Sequence, residues 1–131
     1  ERFEKENPLD NVSPVCGKEE ILRLRRELPE IYIHPALMRY IASVAQATRE
    51  QSSILHGASP RGTLALMRVS RAYAVGKGRD YVVPEDIKET AVPVLAHRLV
   101  MSQRRGDSQA AQKAIRDILD SVPVPTEEWK R

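Results

Sequence analysis

The 131-residue chain has one cysteine, few aromatic residues and no apolar run long enough to cross a bilayer. Because Cys16 has no second cysteine to pair with, an internal disulfide is excluded, and we expect a reducing, cytoplasmic setting. Aromatic residues make up 5% of the chain, which argues against a base-stacking platform for single-stranded nucleic acid. The 30% charged and 41% hydrophobic residues are typical of one folded domain with a modest core.

The common catalytic and metal-binding motifs are also lacking. The chain contains no G-x-x-x-x-G-K-[ST] phosphate loop, no G-x-S-x-G elbow and no C-x-x-C pair. His34, His56 and His97 lie far apart, away from any cluster with metal-ligand spacing, so we interpret them as surface or capping residues. The adjacent acids Glu85 and Asp86 are explained by the dipole of a helix that starts there. The sequence therefore predicts no self-contained active site and no metal site.

The net charge bears on possible partners, and the first residue bears on whether the chain is part of a longer protein. The net charge of +3 and the predicted pI near 9.2 permit an anionic partner without requiring one. The chain opens at Glu1 rather than at Met, and we expect it to be a piece of a longer protein.

Hydrophobic periodicity, caps and prolines predict an all-α domain, a small bundle of about five to six helices. The predicted helices cover residues 18–28, 35–49, 60–75, 84 onward and 108–121, with a kink or a division into two short helices at Pro93. Short extended steps are expected at "IYIHP" and "GKGRDYVV", and an extended N-terminal arm is expected to lie over the domain. The last residues form an irregular tail in which Trp129 docks back.

Two of these helices have clear apolar faces. The expected core residues are Leu37, Ile41, Val44, Ala45 and Thr48 in the second helix, and Ala111, Ala114, Ile115, Ile118 and Leu119 in the last. In the helix at 60–75, Leu66, Val69 and Tyr73 are expected to face the core, flanked by Met67 and Ala74, and Gly76 is expected to end the helix.

The start of that helix, "GASPRGTLALM", places a cation where a helix disfavours one. Ser59 is a good N-cap and Pro60 suits the first helical position, but Arg61 then faces the positive end of the helix dipole. Such a placement costs about 0.3–1 kcal/mol where it is not compensated. At 100° per residue, Arg61 and Arg68 share a face opposite the predicted core. We therefore expect Arg61 to point outward, beside a second arginine.

The stretch "GASPRGTLALMRVSRAYAVGKGRDYVVPEDI", followed by "VLAHR", resembles the C-terminal helical lid of the MoxR-type AAA+ ATPases. The upstream "NPLDNVSPV", "EEILRLRRELPEIYI" and "ATRE" match the same lid and the connector before it. The resemblance covers about residues 6–105, and "GASPR" with "GRDYVVPEDI" is its specific part.

The resemblance implies a division of the chain and a set of partners. Residues 1–17 would be a connector arm from an N-terminal ATPase core, residues 18–122 the lid, and residues 123–131 the tail. The implied cofactor is ATP with Mg in the full-length protein, with none bound tightly to this chain alone. The implied partners are the core, neighbouring subunits of a ring and an unknown protein client that is remodelled or matured.

In the same resemblance, Arg61 corresponds to the sensor-2 arginine that approaches the ATP phosphates, in its own subunit or in a neighbouring one. Ser59 and Pro60 belong to its turn, and Arg68 on the same face would support the nucleotide or a neighbouring subunit. A guanidinium suits this role because its planar donors match a phosphate. Family members often have alanine where this chain has Gly62, and glycine loosens the first turn by up to about 1 kcal/mol.

Other residues of the matched stretch receive structural interpretations. Arg79 and Tyr81 are expected to shape the turn before the next helix. His97 and Arg98 match the "HR" of the family, and a packing or subunit-contact role is the expected one.

Alternative interpretations use the same residues. Arg61 and Arg68 could be plain solvated arginines. The chain could be a helical DNA-binding domain, with the following cations on phosphates: Arg61, Arg68, Arg71, Lys77 and Arg79. It could also be a helical protein-interaction module without nucleotide contact.

Overall fold

The computed structural model describes residues 8–102, 108–126 and 129. The helices are α1 (Lys18–Glu27), α2 (Pro35–Glu50), α3 (Pro60–Gly76), α4 (Pro84–Leu95) and α5 (Ser108–Ser121). Two short strands, β1 (Ile54–His56) and β2 (Val100–Met101), pair in antiparallel fashion. The predicted all-α bundle is confirmed. The small sheet was not predicted, because strands of two and three residues carry no periodic signal.

Helices α2 and α5 bury the residues that their periodicity predicts. All ten predicted core positions of the two helices are buried, among them Leu37 and Ile115 with no exposed surface. Helix α2 starts at Pro35, and the Nδ1 atom of His34 caps it by accepting a hydrogen bond from the Ala36 N–H at 3.2 Å. His56 and His97 are exposed, so the interpretation of the three histidines as surface or capping residues is confirmed.

The buried face of α3 differs from the prediction. Leu66 is buried as expected, but Val69 is 39% exposed and Tyr73 is only partly buried. The buried residues of this helix are Gly62, Leu66, Ser70 and Ala74. Small side chains let α4 pack closely here, and the hydroxyl oxygens of Ser70 and Thr90 lie 3.1 Å apart between the two helices. The hydrophobicity of the side chains therefore does not predict which face of α3 contacts α4.

The turn between α3 and α4 is built around an ion pair of partly buried Arg79 and buried Asp86. Helix α3 ends at Gly76 as predicted, but the left-handed residue of the turn is Gly78, with φ of 72°. The Arg79 guanidinium donates to both carboxylate oxygens of Asp86 at 2.7 and 2.6 Å, and to the Tyr81 carbonyl at 3.0 Å. Asp86 is only 1% exposed and also accepts from the Val83 N–H at 2.9 Å. The helix dipole alone therefore does not explain why an acidic residue occurs at position 86, because Asp86 also pairs with Arg79.

The two predicted extended steps lie side by side. Tyr32 and Tyr81 form an isolated parallel bridge, in which the Tyr32 N–H donates to the Asp80 carbonyl and the Val82 N–H donates to the Tyr32 carbonyl, both at 2.9 Å. This bridge joins the segment before α2 to the segment before α4.

Pro93 neither ends α4 nor divides it at that residue. The helix runs through Pro93 to Leu95 and then tightens into a 3-10 turn at Ala96–Arg98. Proline removes one hydrogen bond of the helix, and Pro93 lies in the last turn of α4, so only two helical residues follow it. In that last turn His97 Nδ1 lies 3.1 Å from the Pro93 carbonyl oxygen.

The described part of the N-terminal arm does not cover the domain. Residues 8–11 form a 3-10 turn, and the apolar side chains of Leu9, Val12 and Val15 are 73%, 71% and 98% exposed. Exposed Cys16 follows, and α1 buries none of its residues. Residues 1–7 of the arm lie outside the described residues, as do residues 103–107.

The described part of the C-terminal tail returns to the domain. The ring of Trp129 packs edge-on at 6.0 Å from the ring of His34, which confirms the predicted docking. Residues 127, 128, 130 and 131 lie outside the described residues.

Candidate functional site

The first turn of α3 presents Arg61 to solvent. Ser59 caps the helix, and its hydroxyl accepts from the Gly62 N–H at 3.3 Å while Pro60 occupies the first helical position. Arg61 is exposed and lies on the side of the helix away from buried Leu66. The outward position predicted for Arg61 is therefore correct.

Arg61 and Arg68 line the same open depression, which has a volume of about 500 Å³. Its other lining residues are Leu64, Ala65 and Val69. Leu64 is 51% exposed, so the depression combines two cations with an apolar floor. Neither arginine has a hydrogen-bond or ion-pair partner among the residues that the structure describes. Their guanidinium donors are thus available to an anion.

A second depression, of about 460 Å³, adjoins the first and shares Leu64 and Arg68 with it. It adds Arg25 from α1 and Arg71 from α3. The Nε atom of Arg71 is buried and has no hydrogen-bond partner in the described part of the chain. Sequence reasoning did not bring Arg25 to this face, because only the packing of α1 and the following turn beside α3 places it there.

The turn that leads into α3 is held by the end of α2. The buried Thr48 hydroxyl accepts from the Ala58 N–H at 2.8 Å and donates to the Ala45 carbonyl at 2.6 Å. Arg49 donates to the Ala58 carbonyl through Nε at 3.0 Å and Nη2 at 2.9 Å. In the sequence, "ATRE" stands out only as a family motif, and no local pattern predicts that Thr48 and Arg49 contact this turn.

The two glycines near Arg61 meet different constraints. A Cβ atom at Gly57 would lie 2.7 Å from the backbone carbon and oxygen of Thr48, so this close approach requires glycine. A Cβ atom at Gly62 would lie 3.6 Å from Leu95 Cδ2 and Arg98 Cδ, which is an ordinary contact. The Arg98 side chain thus lies beside the first turn of α3, and its Nε donates to the Val94 carbonyl at 3.0 Å.

The described ranges contain neither a candidate metal cluster nor a membrane-spanning helix. No group of three or more His, Cys, Asp or Glu residues there is placed to hold a metal ion. None of the helices in those ranges is both long enough and apolar enough to span a bilayer.

Residues 46–118 match the family model of the AAA lid domain, and this span is more than half of the 131 residues. The matched span contains the turn before Arg61, helices α3 and α4 and most of α5. The fold and the match define the class of the protein as an AAA lid domain.

Similarity to known proteins narrows the class of this protein further. The chain is 34% identical over 116 residues to "Chaperone MoxR1" of Mycobacterium tuberculosis, covering 81% of this chain and 31% of that protein. It is 37% identical over 106 residues to "Protein MoxR" of Paracoccus denitrificans, covering 70% of this chain and 31% of that protein. It is also 35% identical over 125 residues to YeaC of Bacillus subtilis, covering 95% of this chain and 39% of YeaC. The chain belongs to the lid domains of the MoxR-type AAA+ ATPases.

A solved structure shows the same fold. The crystal structure of a protein described as an ATPase from Cytophaga hutchinsonii superposes with a TM-score of 0.75 at 33% identity. The match covers 88% of this chain and 38% of that one. The chain thus spans between 31% and 39% of the length of these relatives.

Proposed function

We propose that the chain works as the lid of an oligomeric, cytoplasmic AAA+ ATPase and that Arg61 is its sensor-2 arginine. In this proposal the lid moves against an ATPase core as ATP binds and is hydrolysed. Residues 1–17 connect the lid to that core, residues 18–122 form the lid and residues 123–131 the tail.

One observation carries the proposal. Arg61 stands in the first turn of its helix, exposed and without a partner among the described residues, where its charge opposes the helix dipole. An anion at this helix start would be attracted both by the guanidinium and by the dipole. A phosphate therefore converts an unfavourable placement into a favourable one.

The residues present fit the phosphates of ATP. Arg61 would donate its paired N–H groups to phosphate oxygens, and Arg68, on the same depression, would add a second positive charge. The capped turn at Ser59 and Pro60 orients Arg61 rather than binding phosphate through side-chain donors of its own. When bound, ATP with Mg would supply the phosphoanhydride bond that is hydrolysed, and Arg61 and Arg68 would neutralise negative charge on the phosphates.

Exposed apolar residues support a docked arrangement. Helix α1 buries no residue, and its Ile21, Leu22 and Leu24 are 46%, 37% and 42% exposed. On α3, Leu64 is exposed beside the arginines. Apolar surface of this kind marks an interaction site, and we assign it to the ATPase core or to a neighbouring subunit.

The relative named "Chaperone MoxR1" supports a chaperone-like role. We propose that the ATPase uses the movement of this lid to remodel or mature a client protein. The chain alone is expected to bind ATP weakly, because the phosphate loop and the metal-binding acids belong to the core.

The test of the site is Arg61→Ala in the ATPase that carries this lid. We expect ATP turnover to fall by about 100-fold or more, as for the loss of a charge-stabilising donor in other active sites. Arg61→Lys is expected to recover only part of the activity, because an ammonium lacks the planar pair of donors. Steady-state hydrolysis and the Kd of ATP are the measurements.

Arg39→Ala is the matched control. Arg39 is an exposed arginine on α2, so the variant removes the same charge away from the depression. Its turnover is expected to match the unmodified protein. An Arg61→Ala protein that hydrolyses ATP at the normal rate would contradict the sensor role. Steeply salt-dependent binding of duplex DNA by the chain would instead favour the DNA-binding alternative.

A further inference from the structure

The two residues at the end of α2 that hold the turn before Arg61 both act on Ala58. Thr48 Oγ1 accepts from the Ala58 N–H, and Arg49 donates twice to the Ala58 carbonyl. Both backbone polar groups of one residue are therefore bound by neighbouring side chains of another helix. Ala58 lies only three positions before Arg61.

The Thr48 contact cannot be replaced by solvent. Thr48 has no exposed surface and Ala58 is 1% exposed. The threonine hydroxyl gives its proton to the Ala45 carbonyl at 2.6 Å, which leaves an oxygen lone pair for the Ala58 N–H. Loss of this hydroxyl would leave a buried backbone donor without an acceptor.

Between Ala58 and Arg61 the backbone has little freedom. Ser59 is extended, with φ of −75° and ψ of 164°, and its hydroxyl is engaged with the Gly62 N–H. Pro60 has its φ angle fixed by its ring. On the other side of Ala58, Gly57 lies against the Thr48 backbone, closely enough to exclude a Cβ atom. The position of the Arg61 backbone therefore depends on where Ala58 is held.

We propose that Thr48 and Arg49 are positioning residues for Arg61. They set the start of α3 relative to the rest of the lid, so that the Arg61 guanidinium reaches the phosphates in one defined place. This inference rests on the proposed function of Arg61. A displacement of about 1 Å at a reacting centre can lower a rate by about 100-fold, so small movements of the turn matter.

Thr90 provides a matched control for Thr48. Both are buried threonines in helices, and each donates its hydroxyl proton to a carbonyl of the preceding turn at 2.6 Å. Thr90 makes its second contact with Ser70 Oγ rather than with the turn before α3. Thr48→Val and Thr90→Val thus remove the same group from two comparable places.

The first measurement is amide hydrogen exchange in the chain itself. In Thr48→Val we expect exchange at Ala58 and Gly62 to accelerate by about 10-fold to 100-fold relative to the rest of the helices, as for a lost buried hydrogen bond. In Thr90→Val we expect no selective acceleration at these two amides. Equal protection of Ala58 in both variants would overturn the proposal.

The second measurement is a double-mutant cycle on ATP turnover in the intact ATPase. Thr48→Val is expected to lower kcat by roughly 10-fold to 100-fold, and Arg49→Lys by less. Thr48→Ser keeps the hydroxyl and is expected to restore turnover. With Arg61→Ala already present, Thr48→Val should lower kcat no further, because the group that it positions is gone.

The outcomes separate the two proposals. If Arg61→Ala lowers turnover but Thr48→Val acts only as strongly as Thr90→Val, the positioning role is wrong and the sensor role stands. If Thr48→Val lowers kcat by the same factor with and without Arg61, its role is structural and the positioning role is again wrong. If Arg61→Ala leaves turnover unchanged, the proposed function itself fails.

Discussion

At the scale of single residues, Tyr40 is a buried tyrosine whose hydroxyl gains no hydrogen bond from the described residues. It lies on α2, is 3% exposed, and its hydroxyl has no hydrogen-bond partner within the described residues. Burial raises the pKa of the Tyr40 phenol, and the nearby charge of Asp120 raises it further. The two effects differ in origin, because burial deprives the phenolate of solvation whereas the Asp120 carboxylate repels its negative charge.

We expect Tyr40→Phe to raise the free energy of unfolding by about 1 kcal/mol, because it removes a buried hydroxyl that makes no hydrogen bond. The pH dependence should also change. The phenol pKa is higher in the folded state, so above about pH 10 the unfolded chain ionises first and the unfolding free energy falls. In Tyr40→Phe this part of the alkaline loss should disappear.

Urea titrations at pH 7 and at alkaline pH measure both effects. Tyr73→Phe is the control, because Tyr73 is only partly buried and the same change there should stay within about 0.5 kcal/mol. A clear loss of stability in Tyr40→Phe would show that the hydroxyl has a partner in solution.

At the scale of elements, the first turn of α3 combines the proposed sensor arginine, Arg61, with a glycine that the surrounding fold does not require. Gly62 donates its N–H to the Ser59 cap and is buried against Leu95 and Arg98. Glycine in a helix costs stability relative to alanine because the unfolded chain has more freedom to lose. The space around Gly62 accepts a methyl group.

Gly62→Ala is therefore expected to stabilise the domain by about 0.5–1 kcal/mol. Gly57→Ala provides the opposite case, since its Cβ atom would lie 2.7 Å from the Thr48 backbone. We expect that variant to lose about 1–3 kcal/mol. Thermal or denaturant unfolding of the two variants is the measurement, and destabilisation by Gly62→Ala would mean that α3 and α4 lie closer than the structure shows.

At the scale of the whole molecule, the helices contribute unequally to the core. Helix α5 buries five apolar residues, whereas α1 buries none. The hydrophobic contribution to stability should follow this difference, because it depends on apolar area removed from water. Helix α1 therefore contributes little to the core, and its exposed apolar side chains are available to contact another surface.

Two identical substitutions test this view. Ile115→Ala in α5 removes a side chain with no exposed surface and is expected to cost about 2–5 kcal/mol. Ile21→Ala in α1 removes a side chain that is 46% exposed, and its cost should stay below about 0.5 kcal/mol. Denaturant unfolding of the chain measures both, and a large cost at Ile21 would place α1 in the folding core.

The features that depend on neighbouring residues follow from the amino-acid sequence alone. The start of α3 follows from Ser59 and Pro60, and the buried faces of α2 and α5 follow from their helical periodicity. The outward position of Arg61 also follows from counting residues around one helix. These signals are local, so they can be recognised without knowing which other elements each helix contacts.

Contacts between residues that are distant in the sequence follow from the tertiary fold instead. Strands β1 and β2 pair although both α3 and α4 lie between them in the sequence, and Thr48 and Arg49 reach Ala58 from the end of α2. Ser70 rather than Val69 faces α4, because close packing of two helices selects small side chains over apolar ones. Such contacts depend on how elements are placed in space, and no periodicity within one element encodes that placement.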